Sequence, residues 1–175
     1  TDKFTFETLN LREPLDDEVL VKITCSGLCG CDLHYMHAKD QTYPIVMGHE
    51  GAGIIEKMGK SVSGFKIGDH VIIATNNCGK CKPCQEGRFW DCEHAFDYWY
   101  GKQFDRTTPL STKDGKPVRA FSCHGTFADH AVVRACILFV LIQVLIYAMF
   151  ASLLAAQLQV QEVFLTISKH NQAIH

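Results

Sequence analysis

The chain has 175 residues, 47% hydrophobic and 21% charged, with a formal net charge of -2. A chain of this length buries a core without disulfide staples, and its apolar fraction is too high for intrinsic disorder. With 17 basic against 19 acidic side chains, no basic excess exists to draw a phosphate backbone, so nucleic acid is not an expected partner.

The 9 cysteines are an odd number, and neither a secretory leader nor an N-x-S/T acceptor accompanies them. That pattern suits metal binding in a reducing compartment better than a disulfide framework, and a cytoplasmic location is expected. Along the chain, residues 18–25 (E-V-L-V-K-I-T-C) alternate apolar and polar and predict a strand that stops at Ser26 and Gly27. Residues 28–38 predict a short helix or turn. Further strands are expected over 53–58, over 70–75 after the turn at 66–69, and over 126–134, with glycines between them. The stretch 96–119 mixes aromatics with Gly, Pro, Thr and Asp and reads as a long surface loop. Short strands separated by Gly turns predict a mainly β, barrel-like domain with short helices.

Composition then changes. Residues 135–161 are 27 positions without a charge. The segment 135–156, 22 residues at about 1.5 Å each, would reach about 33 Å as a helix and cross a hydrocarbon core. A membrane anchor, with the preceding domain facing the cytosol, is one expectation for this tail. A buried helix and sequence foreign to the fold are the others.

The strongest local signal is Cys78-x2-Cys81-x2-Cys84-x7-Cys92. Four thiolates within so short a span can close a tetrahedral shell around Zn²⁺, and Gly79 and Pro83 allow the tight turns this needs. A closed four-sulfur shell has no open position, so such a site holds a loop rather than doing chemistry. Lys80, Lys82 and Arg88 are expected to offset its negative charge. A second constellation is sparser: Cys29 follows a strand and opens the expected helix, where the helix dipole favours a thiolate, and His49-Glu50 sits between Gly48 and Gly51.

Gly48-His49-Glu50-x-x-Gly53-x5-Gly59-x2-Val62 resembles the zinc signature of the medium-chain alcohol dehydrogenases. Cys29-x-x-Asp32-x-His34 is similar to that family's segment carrying the first catalytic-zinc cysteine, and the four-cysteine lobe follows in the family order. Gly68-Asp69-x-Val71 and Gly125-Thr126-Phe127-Ala128 also look like family landmarks. The resemblance runs from about residue 4 to residue 134 and implies a GroES-like (chaperonin-10-like) catalytic β-barrel over residues 1–134, its first strand expected to be missing. Residues 135–175 would be a non-family apolar tail, helical over 135–156.

The resemblance further implies that Cys29 and His49 ligate a catalytic zinc, that Asp32 orients the His49 ring, and that Glu50 serves as a transient ligand. His34 would pass the released proton to solvent. Alcohol and aldehyde would be interconverted with NAD(P), on a small-molecule substrate. Two departures from the family pattern stand out. Cys31 occupies the place of a Ser or Thr whose hydroxyl links substrate to the proton relay, and could itself become a rival zinc ligand. The coenzyme-binding domain, which supplies the third catalytic ligand, has no counterpart after Arg134, where no G-x-G-x-x-G occurs; Cys123, His124 and Cys136 are the substitutes at hand. The first expectation is therefore a truncated alcohol dehydrogenase domain, inactive alone. The alternatives are a non-catalytic zinc-binding module, with or without a membrane tether in the tail, and a tail derived from a misread or alternatively spliced transcript.

Overall fold

The computed structural model describes residues 4–37, 44–101 and 107–141. In chain order the elements are β1 (Asn10–Leu11), β2 (Glu18–Gly27), α1 (Gly30–His37), β3 (Ile45–Val46), β4 (Glu50–Met58), β5 (His70–Ile73), α2 (Lys82–Gln85), α3 (Ala95–Trp99), β6 (Leu110–Ser111), β7 (Pro117–Ala120), β8 (His130–Arg134) and β9 (Leu138–Val140). The strands form two sheets, a five-stranded one in the order β8-β2-β4-β5-β9 and a four-stranded one in the order β1-β6-β7-β3. The protein is mainly β with few helices.

The five-stranded sheet carries the main core because its strands alternate as the sequence does. Val19 and Val21 of β2, Ile55 of β4, Val71 and Ile73 of β5, and Ala131 and Val133 of β8 point to one side and are buried together. Antiparallel pairing of β2 with β4 runs from Val19↔Met58 to Gly27↔Glu50, with irregularities after Leu20 and after Ile23. Gly53 is required there: a side-chain carbon on it would overlap the Lys22 carbonyl oxygen of the neighbouring strand. At the start of β2, Glu18 is buried and takes a two-pronged contact from Arg12, Nη1 at 2.5 Å and Nη2 at 3.0 Å, plus the Leu15 N–H at 2.8 Å. A buried carboxylate so paired is tolerated, and it fixes the turn leading into the strand.

Two sequence expectations are corrected. The stretch 96–119 is not one long loop. It contains most of α3 and the hairpin β6–β7, closed by a turn in which the Thr112 N–H donates to the Lys116 carbonyl and the Gly115 N–H to the Thr112 carbonyl. Asp114-Gly115 supplied the hairpin signal, which the surrounding polar residues masked. The second correction concerns the tail. Ala135–Ile137 form a 3₁₀ turn and β9 follows, pairing with β5 as Val71↔Val140, Ile72↔Phe139 and Ile73↔Leu138. The first six residues of the expected helix are therefore a 3₁₀ turn followed by a sheet-edge strand, with Ile137 and Leu138 filling the core. A short apolar run cannot be assigned to helix or strand by periodicity alone, and here an open edge of β5 decided it. Residues 1–140 form one compact unit; the rest of the expected tail and membrane helix, from residue 142 on, lies outside the described residues. Among the described residues no helix is long and apolar enough to cross a membrane.

Candidate metal centres

Cys78, Cys81, Cys84 and Cys92 converge so that their sulfur atoms all lie within 4.8 Å of one another. The chain turns through Cys78, enters the short α2 with Pro83 in its first turn, and returns through a 3₁₀ turn at Phe89–Asp91. Cys78 and Cys84 sulfurs are 3.9 Å apart and Cys81 and Cys92 sulfurs 4.0 Å apart. A zinc tetrahedron with 2.3 Å bonds has sulfur–sulfur edges of about 3.8 Å, whereas a disulfide needs about 2.05 Å, so the spacing fits a metal and not a covalent bridge.

Backbone N–H groups point at the sulfurs. Those of Lys80 and Cys81 donate to Cys78 Sγ at 3.4 and 3.2 Å, and those of Cys78 and His94 to Cys92 Sγ at 3.4 Å each. Burial alone would push the Cys81 thiol up, but N–H groups around Glu93 and Cys84 bring it down to about 6. Burial, and then the neighbouring Cys81, push Cys84 up to about 12. Thiols crowded in this way resist ionising together; a divalent cation would hold all four as thiolates. Arg88, expected to offset the charge of the sulfurs, pairs with Glu86 at 2.6 Å and Asp91 at 3.2 Å.

The second cluster sits where β2 ends, α1 begins and β4 begins. Cys29, Cys31 and His49 bring their ligand atoms within 4.8 Å of one another. Behind them Asp32 is fully buried and accepts from three donors: the Cys29 N–H at 3.0 Å, the Gly48 N–H at 3.1 Å and His49 Nδ1 at 3.3 Å. A carboxylate on Nδ1 fixes the tautomer that leaves the Nε2 lone pair free for a metal. Gly48 adopts φ +91°, and a side chain there would meet Thr126 and Phe127, whose N–H groups in turn bond Gly48 and Met47 carbonyls. The 125–128 segment is thus the clamp that shapes the turn before His49.

Glu50 is exposed and lies outside that triad, against its register partner Gly27. His34 is exposed on α1, three residues after Cys31 and so on the same helix face. The Cys31 thiol is pushed up first by its hydrogen bond with Cys29, then by burial and by the nearby carboxylates. None of the three substitute ligands joins the cluster. Cys123 is buried in the four-cysteine lobe and donates to the Tyr98 carbonyl at 3.4 Å, and Cys136 is exposed beyond β8.

Sequence reasoning missed the aromatic wall. The His49 ring stands edge-on to Trp99 and to Phe121, with centroids 5.3 Å away in both cases, and Trp99 touches Phe121 at 5.1 Å. Trp99 ends α3, so the four-cysteine lobe and the His49 site meet through this residue. Aromatic residues carry no ligand signal in a sequence, and Trp99 read only as part of an aromatic-rich stretch.

His124 is buried beside this wall, and neither ring nitrogen reaches a hydrogen-bond partner. Burial pushes its pKa from 6.5 down to about 3, with the His49 backbone pulling weakly the other way. The unfolded chain takes up this proton near its ordinary pKa and the folded chain only near 3. Stability is therefore whole above about pH 6.5 and falls as pH drops towards 3, by up to about 1.4 kcal/mol per unit. His124→Phe is expected to flatten this acid limb in urea unfolding measured between pH 6.5 and 4; an unchanged slope would show that other groups carry it.

The fold and these sites define a GroES-like zinc-binding domain. Residues 15–142 match the family model described as the alcohol dehydrogenase GroES-like domain. The chain is 38% identical over 132 residues to an NDMA-dependent alcohol dehydrogenase of Amycolatopsis methanolica, covering 74% of this chain and 35% of that protein. It is 37% identical over 131 residues to the class-3 alcohol dehydrogenase of Drosophila melanogaster, covering 73% and 34%. The crystal structure of benzyl alcohol dehydrogenase from Acinetobacter calcoaceticus superposes with a TM-score of 0.71 at 33% identity, over 77% of this chain and 36% of that one. The chain belongs to the zinc-dependent alcohol dehydrogenase family, and it spans about a third of the length of the curated relatives it matches.

Proposed function

We propose that the chain is the catalytic GroES-like domain of an NAD(P)-dependent alcohol dehydrogenase, acting on a small alcohol or aldehyde once a coenzyme domain is joined to it. The observation that carries this reading is the buried Asp32 carboxylate, which holds His49 and the Cys29 backbone in one site open to solvent on the Cys31 side. Cys29 and His49 would hold a catalytic zinc, and Cys78, Cys81, Cys84 and Cys92 a structural one. Zinc at an open site supplies a Lewis acid that makes an alcohol proton easier to lose. Asp32 fixes the ring tautomer, Trp99 and Phe121 hold the ring plane, and His34 offers an exposed imidazole for handing a proton to solvent. Hydride transfer needs a second wall that carries the nicotinamide against the open site. A reducing, cytoplasmic setting suits nine cysteines none of which is joined in a disulfide.

The test is turnover of a panel of alcohols with NAD or NADP, by this chain alone and fused to the coenzyme domain of a relative. The chain alone is expected to be silent and the fusion to reduce coenzyme, with His49→Ala abolishing the signal. Turnover by the chain alone would overturn the need for a second domain. A silent fusion that retains its zinc would favour the non-catalytic zinc-binding module, for which the self-contained four-cysteine lobe is the supporting observation.

A further inference from the structure

Cys31 is exposed in the first turn of α1, and the structure puts its sulfur in reach of the two other donors of the open site. Cys29 and Cys31 flank Gly30, around which no atom crowds, at the first turn of α1, and their thiols hydrogen-bond each other. The Cys29 N–H and the His49 ring are both pinned by the same buried carboxylate, so two of the three donors are positioned by the fold. The third, Cys31, is exposed. We infer that Cys31 is a metal ligand, so that Cys29, Cys31 and His49 form a two-sulfur, one-nitrogen shell for a zinc-like divalent cation made wholly from this domain.

This rests on the reading of Cys29 and His49 as a metal centre and changes what completes it. All three donor atoms lie within 4.8 Å of one another. A tetrahedral zinc with bonds of 2.0–2.3 Å asks for donor separations of about 3.5–3.8 Å, so no edge of the triangle must contract by more than about 1.3 Å. Three donors leave one position open, which keeps the site of the catalytic rather than the closed kind. The cost falls on proton transfer: a sulfur bound to the cation is a poor hydrogen-bond bridge, so Cys31 would not serve to pass a proton from substrate. Glu50 and the buried Asp32 add negative charge beside two thiolates, a field that favours a divalent cation.

The experiment is titration of the metal-free, reduced 175-residue chain with Co²⁺, following thiolate-to-metal charge-transfer absorption, beside the variants Cys31→Ser and Cys29→Ser. The unaltered chain is expected to take up two equivalents, one in the four-cysteine lobe and one weaker. Cys31→Ser should lower the affinity of the weaker site by about tenfold or more and remove one thiolate's share of its absorption, with the lobe unchanged. Because Cys31 is exposed, its circular dichroism should match the unaltered chain, so a loss of metal is not a loss of fold. If Cys31→Ser binds the second equivalent as tightly and with the same absorption while Cys29→Ser does not, Cys31 is no ligand and the inference falls while the metal centre stands. If the unaltered chain takes up a single equivalent, the metal centre itself falls with it.

Discussion

Cys84→Ser should release one zinc per chain and destabilise the domain by on the order of 4 kcal/mol or more, while the weaker metal at the Cys29 site stays. The size follows from what the metal does in the lobe. Its elements are α2 of four residues, a 3₁₀ turn of three and α3 of five, too short to persist by themselves. The lobe's buried cluster consists of Cys78, Cys84, Cys92, Cys123 and Tyr98, with little hydrocarbon beyond one aromatic ring. Binding free energy in such a place is folding free energy, and removing one thiolate leaves three others, two of them buried, without a counter-charge. The Cys29 site is held from β2, α1 and β4, which belong to the barrel, so its metal should survive. The two sites still touch at Trp99, and a shift in tryptophan emission should accompany loss of the lobe. Zinc counting with a chromophoric chelator, together with urea unfolding, decides the matter. An unchanged zinc count would remove the four-cysteine shell as a site, and equal loss of both metals would show that the His49 site depends on the lobe.

What could be read in advance divides along physical lines. Strands β2, β4 and β5 were legible because apolar residues recur on one buried face, and the four cysteines because metal chemistry permits few spacings; β8, buried on both faces at Ala131–Val133, begins at His130, four residues later than expected. The start of β4 at Glu50, three residues before its expected beginning, was hidden by Gly51 and Gly53, which lack strand propensity but are needed where the chain lies against Thr126 and Lys22. The strand β9 was illegible because Leu138, Phe139 and Val140 look the same in a membrane helix as on a sheet edge, and only the unpaired side of β5 distinguishes them. At the open site, Asp32 was expected to orient His49 from resemblance, but its two backbone donors are set by where α1 meets the Gly48 turn. Those contacts span 16 residues in one case, and no local pattern encodes them. Two successive residues at positive φ, Ser122 at 53° and Cys123 at 59°, bring Phe121 under His49, and non-glycine residues give no sign of that backbone in sequence.

The second large effect is expected at Asp32, where stability and metal affinity separate. Asp32→Ala leaves the Cys29 N–H, the Gly48 N–H and His49 Nδ1 without their acceptor in a place water does not reach. Each buried unpaired donor costs about 1–3 kcal/mol, so the domain should lose on the order of 4 kcal/mol. Asp32→Asn keeps the shape and one acceptor oxygen, but its NH₂ group must face a backbone donor, so a smaller loss of about 2 kcal/mol is expected. Both variants lose the negative charge that makes His49 a better metal ligand, and the affinity of the open site should fall about 10–100-fold in each. A residue that served the fold alone would show the opposite relation: Asn, the milder change to the fold, would also be the milder change to metal binding. Measuring urea unfolding and Co²⁺ affinity on the two variants side by side therefore tests the role itself. Equal affinity losses with unequal stability losses assign Asp32 to positioning the ligand, and losses that rise and fall together assign it to holding the turn.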